Sequence, residues 1–188
     1  MELQLDPKTT ALVLIDLQRL IVGREWAPHS GAEVVQRSAR LAKKVRENGG
    51  MVIYVRVLVS EVLSLPVDLA HPRGNTPPPP EASELVPEAG MQPGDVVVAK
   101  RQWGAFHGTD LEQQLRRRGI RTIVMGGIAT NMGVESTARA AHDLGYELVF
   151  AEDAMASMSA EMHVFPVKNI FPRMGRVRSV EEIVAALG

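Results

Sequence analysis

GGIATNMGVESTARAA, residues 126–141, reads as the turn from a buried strand into a helix. The strand is RTIVMGG (121–127), apolar on both faces, and the helix is NMGVESTARAAHDLG (131–145), closed by Gly145. A strand feeding directly into a helix is the unit of a parallel sheet. The mouth of such a helix is a favoured place for chemistry, yet Gly133 stands there without a side chain.

Outward from this stretch the same alternation recurs. TALVLIDLQ (10–18) is an apolar run ending in a carboxylate and suits a central parallel strand. VVQRSARLAKKVREN (34–48) has one apolar face and predicts a helix stopped at Asn48-Gly49-Gly50. MVIYVRVLV (51–59) and DVVVAK (95–100) predict two further strands. TDLEQQLRRRG (109–119) predicts a helix capped by Thr109 or Asp110. YELVFAEDA (146–154) predicts a strand, SAEMHVFPVKNI (159–170) a helix interrupted at Pro166, and FPRMGRVRS (171–179) a short sixth strand. Ser179 and Glu182 form a capping box for a last helix. The pattern implies an α/β fold, three-layer αβα, with a doubly wound, mostly parallel, Rossmann-like sheet of about six strands in a single domain, 1–188. Residues 60–94 break the rhythm with Pro66, Pro72, Pro77 to Pro80, Pro87 and Pro93, and read as a long crossover that covers or flanks a site.

Composition narrows the function. The 188 residues include no cysteine, which excludes disulfides, thiolate metal sites and a cysteine nucleophile. The formal net charge of −1 gives no footprint for nucleic acid or an anionic membrane. Arg116, Arg117 and Arg118 fit the end of a helix, where cations suit the dipole. No apolar run approaches the roughly 20 residues that span a bilayer. MELQLDPKTT lacks the regions of a signal peptide, so the expectation is a cytoplasmic protein. His29, His71, His107, His142 and His163 show no metal-ligand spacing, and neither a metal nor another cofactor is expected. His142 and His163, on helices, read as structural or exposed.

Open parallel sheets bind ligands beyond the carboxyl ends of their strands. That rule selects Asp16, Lys100 and the segment Gly127 to Gly133. A carboxylate ending an apolar strand is costly to bury unless paired, and Lys100 is an available partner. Spacing alone leaves two readings open: an ion pair that supports the loops, or a reactive carboxyl.

LVLIDLQ, VVAKRQWGAFHGTDLEQQLRRRGI and GGIATNMGVESTARAAHDLGYELVFAEDA, in that order, resemble the isochorismatase-like hydrolases of the cysteine hydrolase superfamily. The resemblance covers nearly the whole chain. It implies an Asp–Lys–Cys triad in most members, with Asp16 and Lys100 matching the first two and Gly133 in place of the nucleophile. It also implies a non-proline cis peptide at Ile128–Ala129 that aims backbone N–H groups into the site. Trp103, Phe106 and His107, in the segment after the matching lysine, are candidate pocket residues, and Arg73 in the proline-rich loop is a candidate second carboxylate clamp. Thr130 is a candidate substrate ligand. The family's isochorismatases carry an aromatic hydroxyl where this chain has Ala129 and a histidine where it has Asn131, so substrate contacts at both positions are expected to differ. The resemblance thus implies a non-covalent hydrolase of a small carboxylate-bearing or amide metabolite, with Asp16 as general acid/base and Lys100 as its electrostatic partner. The competing expectation is an inert small-molecule-binding relative that has lost the nucleophile. Either way the implied partners are a small molecule and copies of the chain itself, as a dimer or tetramer.

Overall fold

The computed structural model describes residues 3–69 and 78–188. Six strands, β1 (Thr10–Ile15), β2 (Met51–Val57), β3 (Val96–Lys100), β4 (Thr122–Ile128), β5 (Glu147–Ala156) and β6 (Gly175–Arg178), form one sheet in the order β3-β2-β1-β4-β5-β6, and every pairing is parallel. The order reverses between β1 and β4, the place where such sheets open a crevice. Both strands are buried along their whole length, which accounts for their unbroken apolar sequences.

Alternation along β1 divides the core. Leu12 and Leu14 pack under α2 (Gly31–Glu47) and α6 (Val180–Ala186), with Leu41, Val45 and Ile183 among their neighbours. Ala11, Val13 and Ile15 face the opposite layer. That layer holds α3 (Leu111–Arg116), α4 (Glu135–Asp143) and α5 (Ala160–Asn169), with Leu115, Ala138 and the stacked rings of Phe150 and Phe171, 4.1 Å between centroids. The three-layer arrangement is the one the alternation of strand and helix predicts.

Local chemistry corrects several boundaries. The β1 strand ends at Ile15 rather than Gln18, because Asp16 takes a left-handed φ of 55°. A short helix, α1 (Arg19–Val22), follows it. The Gln18 side chain then completes the ladder of β2: Nε2 donates to the Val57 carbonyl at 2.8 Å and Oε1 accepts from the Val57 N–H at 2.7 Å. The second helix begins at Gly31, earlier than its apolar periodicity suggests, because Ser30 and Glu33 form a capping box. The fifth helix continues through Pro166, which is buried. The described part of the proline-rich crossover runs beside the segment that follows Asp16: Val86 N–H donates to the Leu17 carbonyl, and Arg19 N–H to the Glu84 carbonyl.

One glycine fixes the meeting of β1 and β4. Gly127 has φ +117° and lies at a register shift in the β4–β5 ladder, and a Cβ there would collide with the Ile15 carbonyl. Gly127→Ala is therefore expected to destabilise the fold by about 2–4 kcal/mol, from backbone strain and overpacking together. Urea denaturation at equilibrium measures it, and a loss under about 1 kcal/mol would show that β1 and β4 can part to accept a methyl group.

Candidate active site

Asp16 follows β1, at the centre of the carboxyl edge. Its left-handed backbone, φ 55°, is uncommon outside glycine, though aspartate and asparagine adopt it more readily than other residues. Lys100 ends β3, two strands away. Its Nζ donates to Asp16 Oδ2 at 2.8 Å and to the Trp103 carbonyl at 2.7 Å. Lysine is 2% exposed and aspartate 6%.

The pair leaves two groups over. An ammonium has three donors, and the structure gives this one two acceptors. Asp16 Oδ1 is buried and has no hydrogen-bond partner. Buried polar atoms are nearly always satisfied, so an orphan beside an ammonium with one donor left over suits a ligand or a water. Burial pushes the Asp16 carboxyl from its ordinary 3.8 up to about 6; the charge and hydrogen bond of Lys100 oppose that rise without cancelling it. The Val57 N–H, committed to Gln18, adds a weaker opposing effect without reaching hydrogen-bond geometry with Oδ1.

Gly133 borders the same pair. A Cβ on it would stand 3.2 Å from Asp16 Oδ2, 3.2 Å from Lys100 Nζ and 3.0 Å from Ile15 Cγ2. Any side chain at position 133 would therefore press on both charged groups. Gly133 lies in a π-helical turn, Thr130–Val134, that opens α4, and the Ile128–Ala129 peptide before it is cis. The turn's first backbone bonds run from the N–H groups of Met132 and Val134 to the Ala129 carbonyl, so those of Thr130 and Asn131 lie ahead of the helical ladder.

The other sequence candidates divide. Trp103 supplies its carbonyl to Lys100, while its indole is largely exposed. Phe106 does not turn toward the pair: its ring packs 6.0 Å from that of Tyr146, which precedes β5 at the amino edge of the sheet. The loop reverses around Gln102, whose Nε2 donates to the carbonyls of Gly104 and His107, leaving the His107 side chain exposed. Ala129 is buried at the start of the turn. The Thr130 hydroxyl is fully buried and 2.8 Å from His163 Nδ1, and Asn131 Oδ1 accepts from the Ser157 hydroxyl. The Thr130 hydroxyl and the Asn131 carbonyl oxygen thus each have a partner within the protein. Arg73 lies outside the described residues.

Sequence reasoning missed His163 and Ser157. His163, which the sequence leaves as structural or exposed, is 2% exposed; burial, reinforced by His29, holds its pKa down to about 4, so its ring is neutral at neutral pH. The ring of His29 stands edge-on to it at 6.2 Å. Among the described residues, no group of three or more His, Cys, Asp or Glu is placed to hold a metal ion, and no helix is long and apolar enough to cross a membrane.

An ion pair at the strand ends, a glycine in the following turn and the preceding cis peptide together match what the sequence resemblance implied. The isochorismatase domain model matches residues 10–182. The chain belongs to the isochorismatase family. Hydrolases are among the members of that family to which the chain is similar. It is 53% identical to the isochorismatase family protein YecD of Escherichia coli O157:H7, covering 98% of this chain and 100% of that protein. The structure of an isochorismatase family protein from Burkholderia thailandensis superposes with a TM-score of 0.92 at 44% identity, covering 100% of this chain and 99% of the other. The ureidoacrylate amidohydrolase RutB of Methylobacterium radiotolerans is 30% identical over 98% of this chain and 81% of its own length.

The lysine restrains the Asp16 pKa, and its removal provides a test. In Lys100→Met the carboxyl is expected to titrate higher than in the parent, above about 6. The sign for stability follows. A carboxyl whose folded pKa is raised contributes stability below its unfolded pKa and loses it as pH rises through the folded one, here near 6. Carbon-13 NMR of the Asp16 carboxyl reads the shift directly, and an unchanged midpoint would mean that the two charges are not coupled.

Proposed function

We propose that the chain hydrolyses a small carboxylate-bearing or amide metabolite without a covalent intermediate, with Asp16 as general acid/base and Lys100 as its electrostatic partner. The observation that carries this reading is the orphaned Oδ1 of a buried carboxyl with a pKa near 6, facing Lys100 and a side-chain-free Gly133. No sulfur exists in the chain to attack a carbonyl except the thioethers of methionine, and the Thr130 hydroxyl, although 2.8 Å from a histidine nitrogen that could act as its base, is fully buried away from any approaching substrate. The attacking species is then water. A carboxyl that titrates near the working pH can hand over or accept a proton at little cost.

Two proton cycles fit. With a vinyl ether such as isochorismate, neutral Asp16 gives its proton to the enol carbon. Water adds to the resulting oxocarbenium carbon, the C–O bond to the leaving alcohol breaks, and a proton returns to Asp16. With an amide or ureido substrate, ionised Asp16 takes a proton from water as the oxygen attacks the carbonyl, then gives it to the departing nitrogen. Each cycle restores the enzyme. The RutB relatives named for ureidoacrylate give the second cycle its substrate for testing.

The pH profile separates the two. Activity that falls as pH rises through about 6 marks the acid cycle, and activity that rises through it marks the base cycle. Pyruvate release from isochorismate and ammonia release from ureidoacrylate are measured for the parent and for Asp16→Asn. Turnover is expected in one of them, reduced about 10²–10⁴-fold in the variant. Thermal stabilisation of the parent by a compound it does not hydrolyse, equal in Asp16→Asn, would support instead a binding protein without catalysis.

The same reading has the chain working as a homo-oligomer. Its support is the run Leu63, Leu65, Val67 and Leu69, 61–91% exposed, an apolar surface seldom left to water. Light scattering of the purified chain is expected to return a multiple of 20.5 kDa, and a monomer at micromolar concentration would contradict it.

A further inference from the structure

The turn that carries Gly133 is held from outside by two side chains. His163, from α5, meets the Thr130 hydroxyl at 2.8 Å in a fully buried contact. Ser157, just beyond β5, donates to Asn131 Oδ1 while its backbone pairs with Ala27. Thr130 and Asn131 open the π-helical turn, and Gly133, two residues later, stands against Asp16 and Lys100. A buried histidine ring needs a hydrogen-bond partner, and so does a buried hydroxyl; each is satisfied by the other. The π-turn is also the part of the site whose geometry is least fixed by local rules, since its ladder is irregular and Ala129 gives it no side-chain cap.

From this arrangement we infer that His163 is a positioning residue for the hydrolytic site, acting through the Thr130 hydroxyl to fix the turn that presents Gly133 and the N–H groups of Thr130 and Asn131. The inference rests on the hydrolase reading above. With the Thr130 hydroxyl and the Asn131 carbonyl oxygen engaged by His163 and Ser157, the turn is left to offer its backbone N–H groups. Backbone donors stabilise a developing oxyanion only while held in place, and a displacement of about 1 Å costs on the order of 100-fold in rate. The ring acts as a neutral hydrogen-bonding group, since its burial disfavours the imidazolium.

The test compares His163→Phe, which keeps the volume and loses the hydrogen bond, with His163→Asn, whose amide reaches the Nδ1 position, and with Thr130→Val. On whichever substrate the parent hydrolyses, His163→Phe and Thr130→Val are each expected to lower kcat about 10–100-fold with KM within about threefold. The double variant should be no worse than either single one, because both break one contact. His163→Asn should recover most of the loss. In nitrogen-15 NMR spectra, the amide signals of Thr130, Asn131 and Gly133 should move in His163→Phe and return toward the parent's in His163→Asn. A folded His163→Phe with unchanged kcat, or an additive double variant, overturns the inference. A role confined to stability would lower Tm and leave kcat alone. If the parent hydrolyses none of the compounds offered, the hydrolase reading fails and the amide signals decide: unmoved signals at the three residues overturn the clamp, and moved ones support it.

Discussion

The Asp16–Lys100 pair is the constraint around which the carboxyl edge is arranged. Two charges at 6% and 2% exposure have given up most of their hydration. For Asp16 the attraction of Lys100 does not fully offset desolvation, and removing one partner of such a buried pair typically costs about 3–5 kcal/mol. The fold brings them together across an intervening strand. Lys100 is level with Val57 of β2, and Asp16 lies beyond the Ile15–Val55 pairing of β1. Closing the remaining distance takes the left-handed backbone at Asp16, the return of the loop that puts the Trp103 carbonyl on Nζ, and Gln18 locking Val57 from the other side. The Asp16 oxygen left without a protein partner is the feature on which the proposed catalytic reading of the pair rests.

Glycine at position 133 follows from the same geometry. With a Cβ already within 3.2 Å of both charged groups, any longer side chain either joins their chemistry or displaces them. A thiol does the former in the family's amidases, as the sequence resemblance implies. The absence of a side chain leaves the pair facing the space that a nucleophile would fill. It also shifts the burden of positioning onto the backbone of the turn, and hence onto the residues that grip it.

How far the sequence reveals this depends on the range of the interaction. TALVLI and TIVMGGI are legible as central strands because burial on both faces makes them apolar throughout. Asp16 and Lys100 stand out because charges at the ends of apolar strands are conspicuous, and Gly133 because the resemblance marks its position. The capping box at Ser179 is local and legible. The one at Ser30 has the same spacing but precedes the first apolar residues of its helix, so periodicity alone places the start too late. The contact of the Phe106 ring with Tyr146 is not legible, because nothing in its neighbourhood encodes the loop geometry around Gln102. His163 and Ser157 reach partners 33 and 26 residues away. Their burial comes from how α5 and the end of β5 pack on the turn, and no short-range pattern records it.

A carboxyl near 6, half held by an ammonium, can begin a reaction in either protonation state, and the substrate has a part in choosing. A carboxylate-bearing substrate brings a negative charge toward Asp16, which favours the proton on it and hence the acid cycle. The same charge is attracted to the free donor of Lys100, so binding and protonation act together. A substrate that sets a neutral ureido or amide group against Asp16, with any carboxylate held further off, brings no such charge there. It leaves Asp16 mostly ionised at neutral pH, ready to take a proton from water. On the proposed reading, one arrangement of side chains would serve both proton cycles without a nucleophile, and the charge brought against Asp16 would set which way the proton first moves.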